Sequence, residues 1–398
     1  MLEKLKLLLL FLPFGLQAQQ MSFALEQINA QALVEEGLTG KGIKVGIIDG
    51  GFLRANTKEA LQHLFDNNLV MGYRDFLDSS AADFSGSRVL DDVHGTEVWE
   101  MIAGHSTKKG IQYGLATGAM YYLARTDHGA YERREEERNA IKAMEWMAAE
   151  GVQIINLSLG YNYGYTRKEE NYQPTQMDGE STILTQAVDR ISEAHDILIV
   201  VAAGNDGDKK WRIIDSPADA KSALTVGATK FKTKDDMAYS SKGPHWLAYV
   251  KPEVACFAGS GTSFSTPIIT GFAACILEKN PTLSAAALKT VIMRSANLKY
   301  PNNFVGYGVP DAAKALRLLQ GDLPQDTFTE ISTTKSTHKL TFESKVPYLS
   351  IYHKKGWEVL SKEFVKPKKN EYRVKKVKDA ESSTILWTTG ELEIFWEK

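Results

Sequence analysis

The side chain best suited to chemistry in this sequence is the hydroxyl of Ser263, which follows Gly261 and Thr262 and precedes Pro267. A serine hydroxyl attacks a carbonyl only when it is exposed and within reach of a base. Glycine allows a tight backbone before Ser263, and Pro267 suits the first turn of a helix. The small, apolar run 268–277 predicts that this helix packs closely inside a core. Gly-Thr-Ser is also a common helix cap, so the stretch indicates a nucleophile only together with partners.

A carboxylate and an imidazole, the groups that activate a serine, both occur at predicted element ends. Asp49 follows the apolar run 43–48, which has the length of a buried parallel strand. Open α/β sheets carry their chemistry at the carboxyl ends of such strands. His94 opens a predicted helix, which places its imidazole at an edge. A single histidine of this kind is more often a core or surface residue, so its interpretation depends on Ser263.

An amide follows another predicted strand, where the apolar run 197–203 ends at Gly204 and Asn205. Asparagine in this position is usually a turn residue. The alternative is that the Asn205 amide donates a hydrogen bond to an oxyanion that develops during a reaction. The residues alone leave both interpretations open.

Alternating strands and helices are predicted to position these side chains. Such alternation is typical of a parallel sheet with helices on its faces. The charged run 132–138 is most simply the solvated face of one helix. The predicted strands are 43–48, 119–124, 152–160, 197–203 and 225–229, and the predicted helices are 57–67, 94–104, 132–150, 181–194, 284–295 and one that ends near 320.

The pattern changes near residue 322. From Thr327 onward, short alternating runs of aromatic and β-branched residues predict an antiparallel β unit. We therefore expect an α/β domain over 19–322 and a small C-terminal β-rich domain over 323–398, which carries no catalytic cluster. The sequence assigns no role to the second domain, and we expect it to contribute to stability or to substrate docking.

Length, composition and the first residues limit the class of protein. The chain has 398 residues, 24% of them charged, and a net charge of −2, so nothing indicates a nucleic-acid or acidic membrane partner. Lys4 and Lys6, the apolar run 7–12 and Ala18 are typical of an export signal over 1–18. The run is too short to span a bilayer, so we expect a secreted or periplasmic protein without a membrane span.

The two cysteines, Cys256 and Cys275, lie on either side of Ser263. In an exported protein, a disulfide could join the serine loop to its helix. The other interpretation is that both are buried free thiols. A catalytic thiol is disfavoured because neither cysteine has a glycine-rich turn or a nearby histidine in sequence.

Five short segments occur together in one order, and in them the chain resembles the subtilisin-like serine peptidase family, the subtilases. The resemblance runs from about residue 22 to 320 and implies a subtilisin-like fold for the α/β domain, with a mostly parallel, helix-flanked sheet. The five segments are VGIID at 45–49, HGT at 94–96, SLG at 158–160, AAGN at 202–205 and GTS at 261–263.

The resemblance implies a role for each site residue. Ser263 would be the nucleophile, His94 its general base and later acid, and Asp49 the group that orients the imidazole. Asn205 and the Ser263 backbone N–H would hold the oxyanion. An extended peptide substrate would pair with the strand edge formed by Ser158, Leu159 and Gly160.

Further expectations concern single positions, some of which depart from the family pattern. Asp206 is expected at the pocket for the residue before the cut, with a mild preference for basic or polar side chains. Gly50 stands where the family usually has Ser or Thr, and Glu97 where a second His is common. Because Met21 is close to Asp49, we expect the exported chain to begin with catalytic-domain sequence, without the long propeptide of many members.

The expected partners are protein or peptide substrates, and the sequence leaves the oligomeric state undetermined. No cofactor is expected for the chemistry. Structural calcium is common in the family, but no loop here matches a calcium pattern, so no metal ligand is assigned.

Two other functions compete with the peptidase. A catalytically idle scaffold that binds proteins would be favoured by a missing triad member, and none is missing. An esterase of the α/β-hydrolase type needs Gly-x-Ser-x-Gly and the order Ser, acid, His, and the chain has neither.

Overall fold

The structure, a computed structural model, describes residues 20–81, 83–84, 90–129, 131–298, 301–321, 330–342, 346–356, 358–387 and 390–397. The predicted signal peptide, 1–18, lies outside the described residues. So does the predicted domain boundary between 322 and 323. Both therefore stay predictions.

A parallel sheet forms the centre of the larger region, which comprises the described residues of 20–321. Seven strands pair in the order β10-β9-β8-β7-β2-β6-β3, all of them parallel. The remaining strands form a small sheet in the order β1-β5-β4. The strands of this region are β1 (Gln20–Met21), β2 (Lys44–Asp49), β3 (Val70–Asp75), β4 (His105–Ser106), β5 (Ile111–Gln112), β6 (Met120–Arg125), β7 (Ile154–Leu157), β8 (Leu198–Ala202), β9 (Leu224–Thr229) and β10 (Val254–Phe257).

Helices cover both faces of this sheet. They are α1 (Phe23–Gln27), α2 (Gln31–Glu35), α3 (Gln62–Asp66), α4 (His94–Ala103), α5 (Arg134–Ala149), α6 (Ile183–His195), α7 (Thr266–Lys279), α8 (Ala285–Ser295) and α9 (Ala312–Leu319). In β2, Val45 and Ile47 belong to the core that contains α4 and α7, whereas Ile48 belongs to the core that contains α5 and α6. Burial on both faces is expected for parallel strands, and it confirms the predicted fold class.

One predicted helix is shorter than expected. The helix predicted over 57–67 is replaced by 3-10 turns at Ala55–Thr57 and Glu59–Leu61, followed by α3. Lys58 separates the two turns because its backbone is extended, with ψ 117°. The hydrophobic pattern of the segment did not reveal this break.

The charged run at the start of α5 is not simply a solvated face, so that prediction is wrong for two of its members. Glu136 is 3% exposed and accepts hydrogen bonds from the backbone N–H groups of His128 and Arg133. Glu137 is fully buried and accepts from the hydroxyl groups of Tyr165 and Tyr172. Hydrogen-bond donors satisfy both buried carboxylates, from the preceding turn for Glu136 and from a distant loop for Glu137.

The C-terminal region has its own hydrophobic core and two sheets. β11, β17, β16, β13 and β14 pair in that order, and β12 pairs with β15. Apart from the parallel pair β11 and β17, the pairings are antiparallel, which confirms the predicted β unit. The strands are β11 (Glu330–Thr333), β12 (Thr337–Thr341), β13 (Leu349–Lys355), β14 (Glu358–Val365), β15 (Glu371–Lys375), β16 (Ser382–Trp387) and β17 (Gly390–Trp396).

Hydrogen bonds between described residues connect the C-terminal region to the larger one. The Tyr352 hydroxyl donates to the carbonyl of Pro301 over 2.9 Å, and Lys362 Nζ donates to Asn303 Oδ1 over 2.8 Å. Both acceptors lie in the loop between α8 and α9. Within the part of the chain that is described, no helix is long and apolar enough to cross a membrane.

Both cysteines are free and buried. The Cys256 thiol donates to the carbonyl of Ser265, and the Cys275 thiol lies against the carbonyl of Leu38. Burial raises the pKa of both thiols. The free-thiol interpretation is therefore the one the structure supports.

The helices that carry the histidine and the serine pack closely against each other. Gly271 of α7 faces the backbone of α4, and a Cβ atom there would lie 2.9 Å from the carbonyl oxygen of Ile102. A backbone carbonyl cannot move aside as a flexible side chain can. Because residue 271 has no side chain, α4 and α7 can approach each other this closely.

We predict that Gly271→Val lowers the free energy of unfolding by about 1–3 kcal/mol, because the added atoms force α7 away from α4. Thermal and urea unfolding of the full chain measure the effect. The control is Gly259→Val, since a Cβ atom at that exposed position has nothing within 4 Å. Equal stability of the two variants would show that the close contact is not a constraint.

Candidate active site

Asp49 is the last residue of the central strand β2, and its side chain is fully buried. Its Oδ1 accepts a hydrogen bond from the backbone N–H of Gly50 over 2.8 Å. The same oxygen accepts from Nδ1 of His94 over 2.7 Å. A carboxylate at Nδ1 fixes the orientation of the ring and leaves Nε2 as the nitrogen able to exchange a proton with a substrate group.

His94 begins α4, and its side chain remains 33% exposed. The negative charge of Asp49 raises the pKa of His94 to about 9, against the opposing effect of burial. Glu97 and Asp127 make smaller contributions in the same direction. The imidazole therefore keeps its proton at neutral pH and becomes a base as the pH rises.

Ser263 lies in the 3-10 turn Thr262–Phe264, between Gly261 and α7. Gly261 has φ 79°, a left-handed conformation that favours glycine. The Ser263 hydroxyl donates to the carbonyl of Ser158 over 3.1 Å, and the Ser158 hydroxyl donates to the carbonyl of Ser263 over 3.1 Å. This reciprocal pair joins the serine turn to the end of β7.

The helix that begins with His94 contacts the turn that holds Ser263. In that turn, the centroid of the Phe264 ring lies 5.7 Å from the centroid of the His94 ring. In this structure the Ser263 hydroxyl hydrogen bonds to the Ser158 carbonyl.

Asn205 follows β8 and is exposed, and its amide orientation is set by Thr262. Its Oδ1 accepts from the Thr262 backbone N–H over 2.8 Å and from the Thr262 hydroxyl over 3.2 Å. The Thr262 hydroxyl also accepts from the backbone N–H of Gly204 over 3.1 Å. Since the oxygen is held on the Thr262 side, the Nδ2 donor is left for another acceptor.

The segment predicted to bind substrate continues directly from β7. Ser158 is buried, Leu159 is partly exposed and Gly160 is exposed. The next residue, Tyr161, exchanges backbone hydrogen bonds with Ser216 over 2.8 and 3.0 Å. The segment is thus held at one end by the Ser158–Ser263 hydrogen bonds and just beyond its other end by the Tyr161–Ser216 pair.

Arg125 is a residue of the site that the sequence analysis did not single out. Its Nε donates to the carbonyl of Gly50, and its two terminal nitrogens bond Asp75 and Asp92, over 3.1, 3.0 and 3.4 Å respectively. Gly50 adjoins Asp49, and Asp92 lies just before His94. Arg125 therefore ties together the segment just after Asp49 and the segment just before His94, which no local sequence signal shows.

Asp127 was also missed, although it follows the predicted strand 119–124 much as Asp49 follows its own. It is buried and accepts hydrogen bonds from Thr126 and Tyr161. Burial raises its pKa to about 8. Its place just beyond the carboxyl end of β6 was the signal available in the sequence.

Asp127 belongs to the acidic group in which a metal ion would be sought. Ligand oxygens of Asp127, Glu132 and Glu136 lie within 4.8 Å of one another. The carboxylates of Asp127 and Glu136 already accept hydrogen bonds from protein donors. Because those donors satisfy both groups, we assign no metal ligand here.

Asp206 has two polar partners. Its Oδ1 pairs with Lys209 Nζ over 2.7 Å, and its Oδ2 accepts from Asn162 Nδ2 over 2.7 Å. The expected preference of Asp206 for basic or polar side chains stays a prediction. The same Asn162 nitrogen donates over 2.8 Å to Asp215, a buried acid that the sequence analysis overlooked.

Known proteins share this sequence pattern and fold. The subtilase family matches residues 40–308. Subtilisin DY of Bacillus licheniformis is 28% identical over 306 residues, which cover 73% of this chain and 97% of that protein. Subtilisin BL of Lederbergia lenta is 28% identical over 309 residues, which cover 75% of this chain and 100% of that protein.

Solved structures agree on the fold. The CspB protease of Clostridium perfringens has a TM-score of 0.61 at 15% identity, and the similarity covers 75% of this chain and 99% of that chain. MycP1 with its N-terminal propeptide removed has a TM-score of 0.56 at 23% identity, over 74% of this chain and 96% of that chain. The family match covers more than half of the sequence, so the chain belongs to the subtilase family and is a serine-type peptidase.

Proposed function

We propose that the chain is an exported serine endopeptidase that cleaves peptide bonds through Asp49, His94 and Ser263. The observation that carries the proposal is the 2.7 Å hydrogen bond between Asp49 and His94, formed beside the turn that holds Ser263. Membership of the subtilase family supports the assignment, and the hydrogen bond would supply the acid–imidazole half of the proposed triad.

In the first half of the reaction, the Ser263 hydroxyl attacks the substrate carbonyl and His94 takes its proton. The tetrahedral intermediate then expels the amine, which receives that proton from His94, and an ester to Ser263 remains. Asp49 stabilises the imidazolium between these steps. In the second half, water attacks the ester with His94 as base, and the acid product leaves with Ser263 restored.

Asn205 and the Ser263 backbone N–H are the donors we assign to the oxyanion. The Asn205 oxygen is held by Thr262, so the amide nitrogen is oriented before substrate arrives. A donor fixed in advance is effective because it does not have to reorganise as charge develops.

The extended segment Ser158–Leu159–Gly160 is proposed to pair with the substrate backbone. Main-chain hydrogen bonds bind peptides of many sequences, since they do not involve the side chains. The protein acts outside the cytoplasm in this proposal, after removal of residues 1–18 as a signal peptide. An idle scaffold is not favoured, because each triad member is present and the Asp49–His94 hydrogen bond is formed.

The nucleophile can be identified by labelling. We predict that a fluorophosphonate labels the purified chain at Ser263 and that Ser263→Ala abolishes both labelling and digestion of a mixed protein substrate. Mass spectrometry locates the label and maps the cleaved bonds. The control is Ser265→Ala, which removes a buried hydroxyl from the same loop. Labelling of Ser263→Ala at the wild-type rate would disprove the assignment.

The pH dependence follows from the raised pKa of His94. A base must lose its proton to act, so kcat/KM rises with pH and is half-maximal near pH 9 in the wild type. Asp49→Asn removes the main cause of the shift, so the midpoint moves toward the ordinary histidine value of about 6.5. Its maximal rate falls by about 10⁴-fold, since an amide no longer favours the tautomer with the proton on Nδ1.

The matched control for this pH profile is Glu97→Gln, which removes a smaller contribution to the same pKa. It is expected to lower the midpoint less than Asp49→Asn and to change the maximal rate only a few-fold. A profile of Asp49→Asn with the wild-type midpoint would contradict the role of Asp49.

The oxyanion donor can be tested without disturbing the serine turn. Asn205→Asp keeps an oxygen for the Thr262 N–H but replaces the amide donor with a second acceptor. We predict that kcat falls by at least about 10²–10³-fold while KM changes little. Initial rates at several substrate concentrations separate the two constants, and a wild-type kcat would exclude Asn205 as the donor.

A further inference from the structure

Arg125 ends β6, between two strands that each end in an aspartate. Asp49 of β2 and Asp75 of β3 are its direct neighbours in the parallel register. Residues in register point to the same side of a sheet, so the arginine stands between two acids at this edge. The side chain of Arg125 is 13% exposed and that of Asp75 only 4%. The guanidinium is therefore largely removed from water and takes its partners from the protein.

The guanidinium uses its three nitrogens on three different segments. Its Nε donates to the carbonyl of Gly50 over 3.1 Å, and its Nη1 donates to Asp75 over 3.0 Å. Its Nη2 lies 3.4 Å from both carboxylate oxygens of Asp92. Because a guanidinium is planar and its N–H groups form a fixed fork, these contacts define how the three segments lie relative to one another.

Two of these segments adjoin the groups assigned to catalysis. Gly50 donates its own backbone N–H to Asp49 Oδ1 over 2.8 Å, so it is bonded to the acid on one side and to Arg125 on the other. Asp92 lies in the 3-10 turn Leu90–Val93, which runs directly into His94. Arg125 thus holds the residue after the acid and the turn before the imidazole.

The segment after Asp49 has little stiffness of its own, because it begins with two glycines. Glycine has more backbone freedom than any other residue. Gly51 cannot be larger, since a Cβ atom there would lie 2.6 Å from the Cβ atom of Asp92. The backbone N–H of Leu53 donates to the carbonyl of Asp92 over 2.9 Å, which joins the two segments to each other. Arg125 joins both of them to the sheet.

Asp92 also depends on Arg125 for its charge. Asp92 is 1% exposed, and burial raises the pKa of its carboxyl, while Arg125 is the main group that opposes this rise. Asp75 acts in the same direction as burial, and His128 makes a smaller contribution in the direction of Arg125. Without the guanidinium, Asp92 would be a buried and poorly compensated carboxylate, a state that is relieved by taking up a proton or by moving the turn.

We propose that Arg125 is a positioning residue of the peptidase, which keeps the hydrogen bond between Asp49 and His94 formed. The inference rests on the proposed function, because it concerns the acid and the base of that reaction. Arg125 acts through Gly50 and Asp92, the residues it bonds on either side of the pair. Its effect is therefore on the chemical step and not on substrate binding.

The main test is Arg125→Lys in the full chain, which keeps a positive charge but loses the planar fork. Maximal kcat is expected to fall by about 10²-fold, because a small displacement of a catalytic group is that costly. KM for a peptide substrate changes no more than a few-fold. The midpoint of the kcat/KM profile moves from near pH 9 toward about 6.5, since Asp49 raises the pKa of His94 less when their contact loosens.

The direction of this shift separates positioning from a simple effect of charge. Loss of a nearby cation alone raises the pKa of a histidine, so it would move the midpoint upward. The other acids that raise the pKa of His94, Glu97 and Asp127, are unchanged in the variant.

A second pair of variants tests the path through Asp92. Arg125→Met removes the charge as well as the fork, and kcat is expected to fall at least as far as in Arg125→Lys. Adding Asp92→Asn to Arg125→Met removes the uncompensated acid, so the double variant regains several-fold of the lost kcat.

All rates are divided by the concentration of Ser263 that a fluorophosphonate labels at completion, so unfolded chains do not count. Arg133→Lys is the matched control. Arg133 bonds Glu170 through Nε and Nη2, so this variant breaks a comparable ion pair outside the segments next to Asp49 and His94. It should keep the wild-type kcat and midpoint.

Each result has a distinct meaning. If the wild type is not labelled at Ser263 and cleaves no peptide, the proposed function fails and the inference fails with it. If the wild type is active and Arg125→Lys keeps its kcat and midpoint, Arg125 is only a structural ion pair, and the inference is wrong while the peptidase stands. A midpoint that rises, or a loss confined to KM, also overturns it.

Discussion

The site depends on one buried carboxylate, which needs hydrogen-bond donors because it is removed from water. Asp49 is fully removed from solvent at the end of β2, and one of its oxygens receives both His94 and the backbone of Gly50. Its other oxygen, Oδ2, has no hydrogen-bond partner in this structure. Such a group is costly to bury, so the imidazole is held beside it as the main source of compensation. The orientation of His94 is therefore a consequence of folding and does not require a substrate.

Parallel strands explain how distant residues reach this point. β2, β7 and β8 are neighbours in the sheet and run in the same direction, so their carboxyl ends lie along one edge. Asp49, Ser158 and Asn205 stand at or just beyond those ends. The turn that carries Ser263 is bonded to two of them, through the carbonyl of Ser158 and the oxygen of Asn205. The order of the parallel strands thus places Asp49, Ser158 and Asn205 along one edge. The packing of α4 against the serine turn adds His94 to that edge.

The sequence revealed what is local and missed what depends on distant contacts. Asp49, His94 and Asn205 could be found because each follows an apolar strand or opens a helix. The burial of Glu137 could not, since its partners are tyrosines in a loop after β7. Asp215 was missed for the same reason, because its hydrogen-bond partner Asn162 lies 53 residues earlier in the chain. Likewise, whether the two cysteines form a disulfide depends on their distance in the fold, which their spacing in the sequence does not give.

The free thiols of Cys256 and Cys275 have a consequence for where the protein can be made. Neither thiol is needed as a covalent tie, since the serine loop is held by hydrogen bonds to neighbouring strand ends. Both lie away from solvent, where oxidants and thiol reagents do not reach them. A change in the redox state of the surroundings therefore neither forms nor breaks a covalent link at the serine loop.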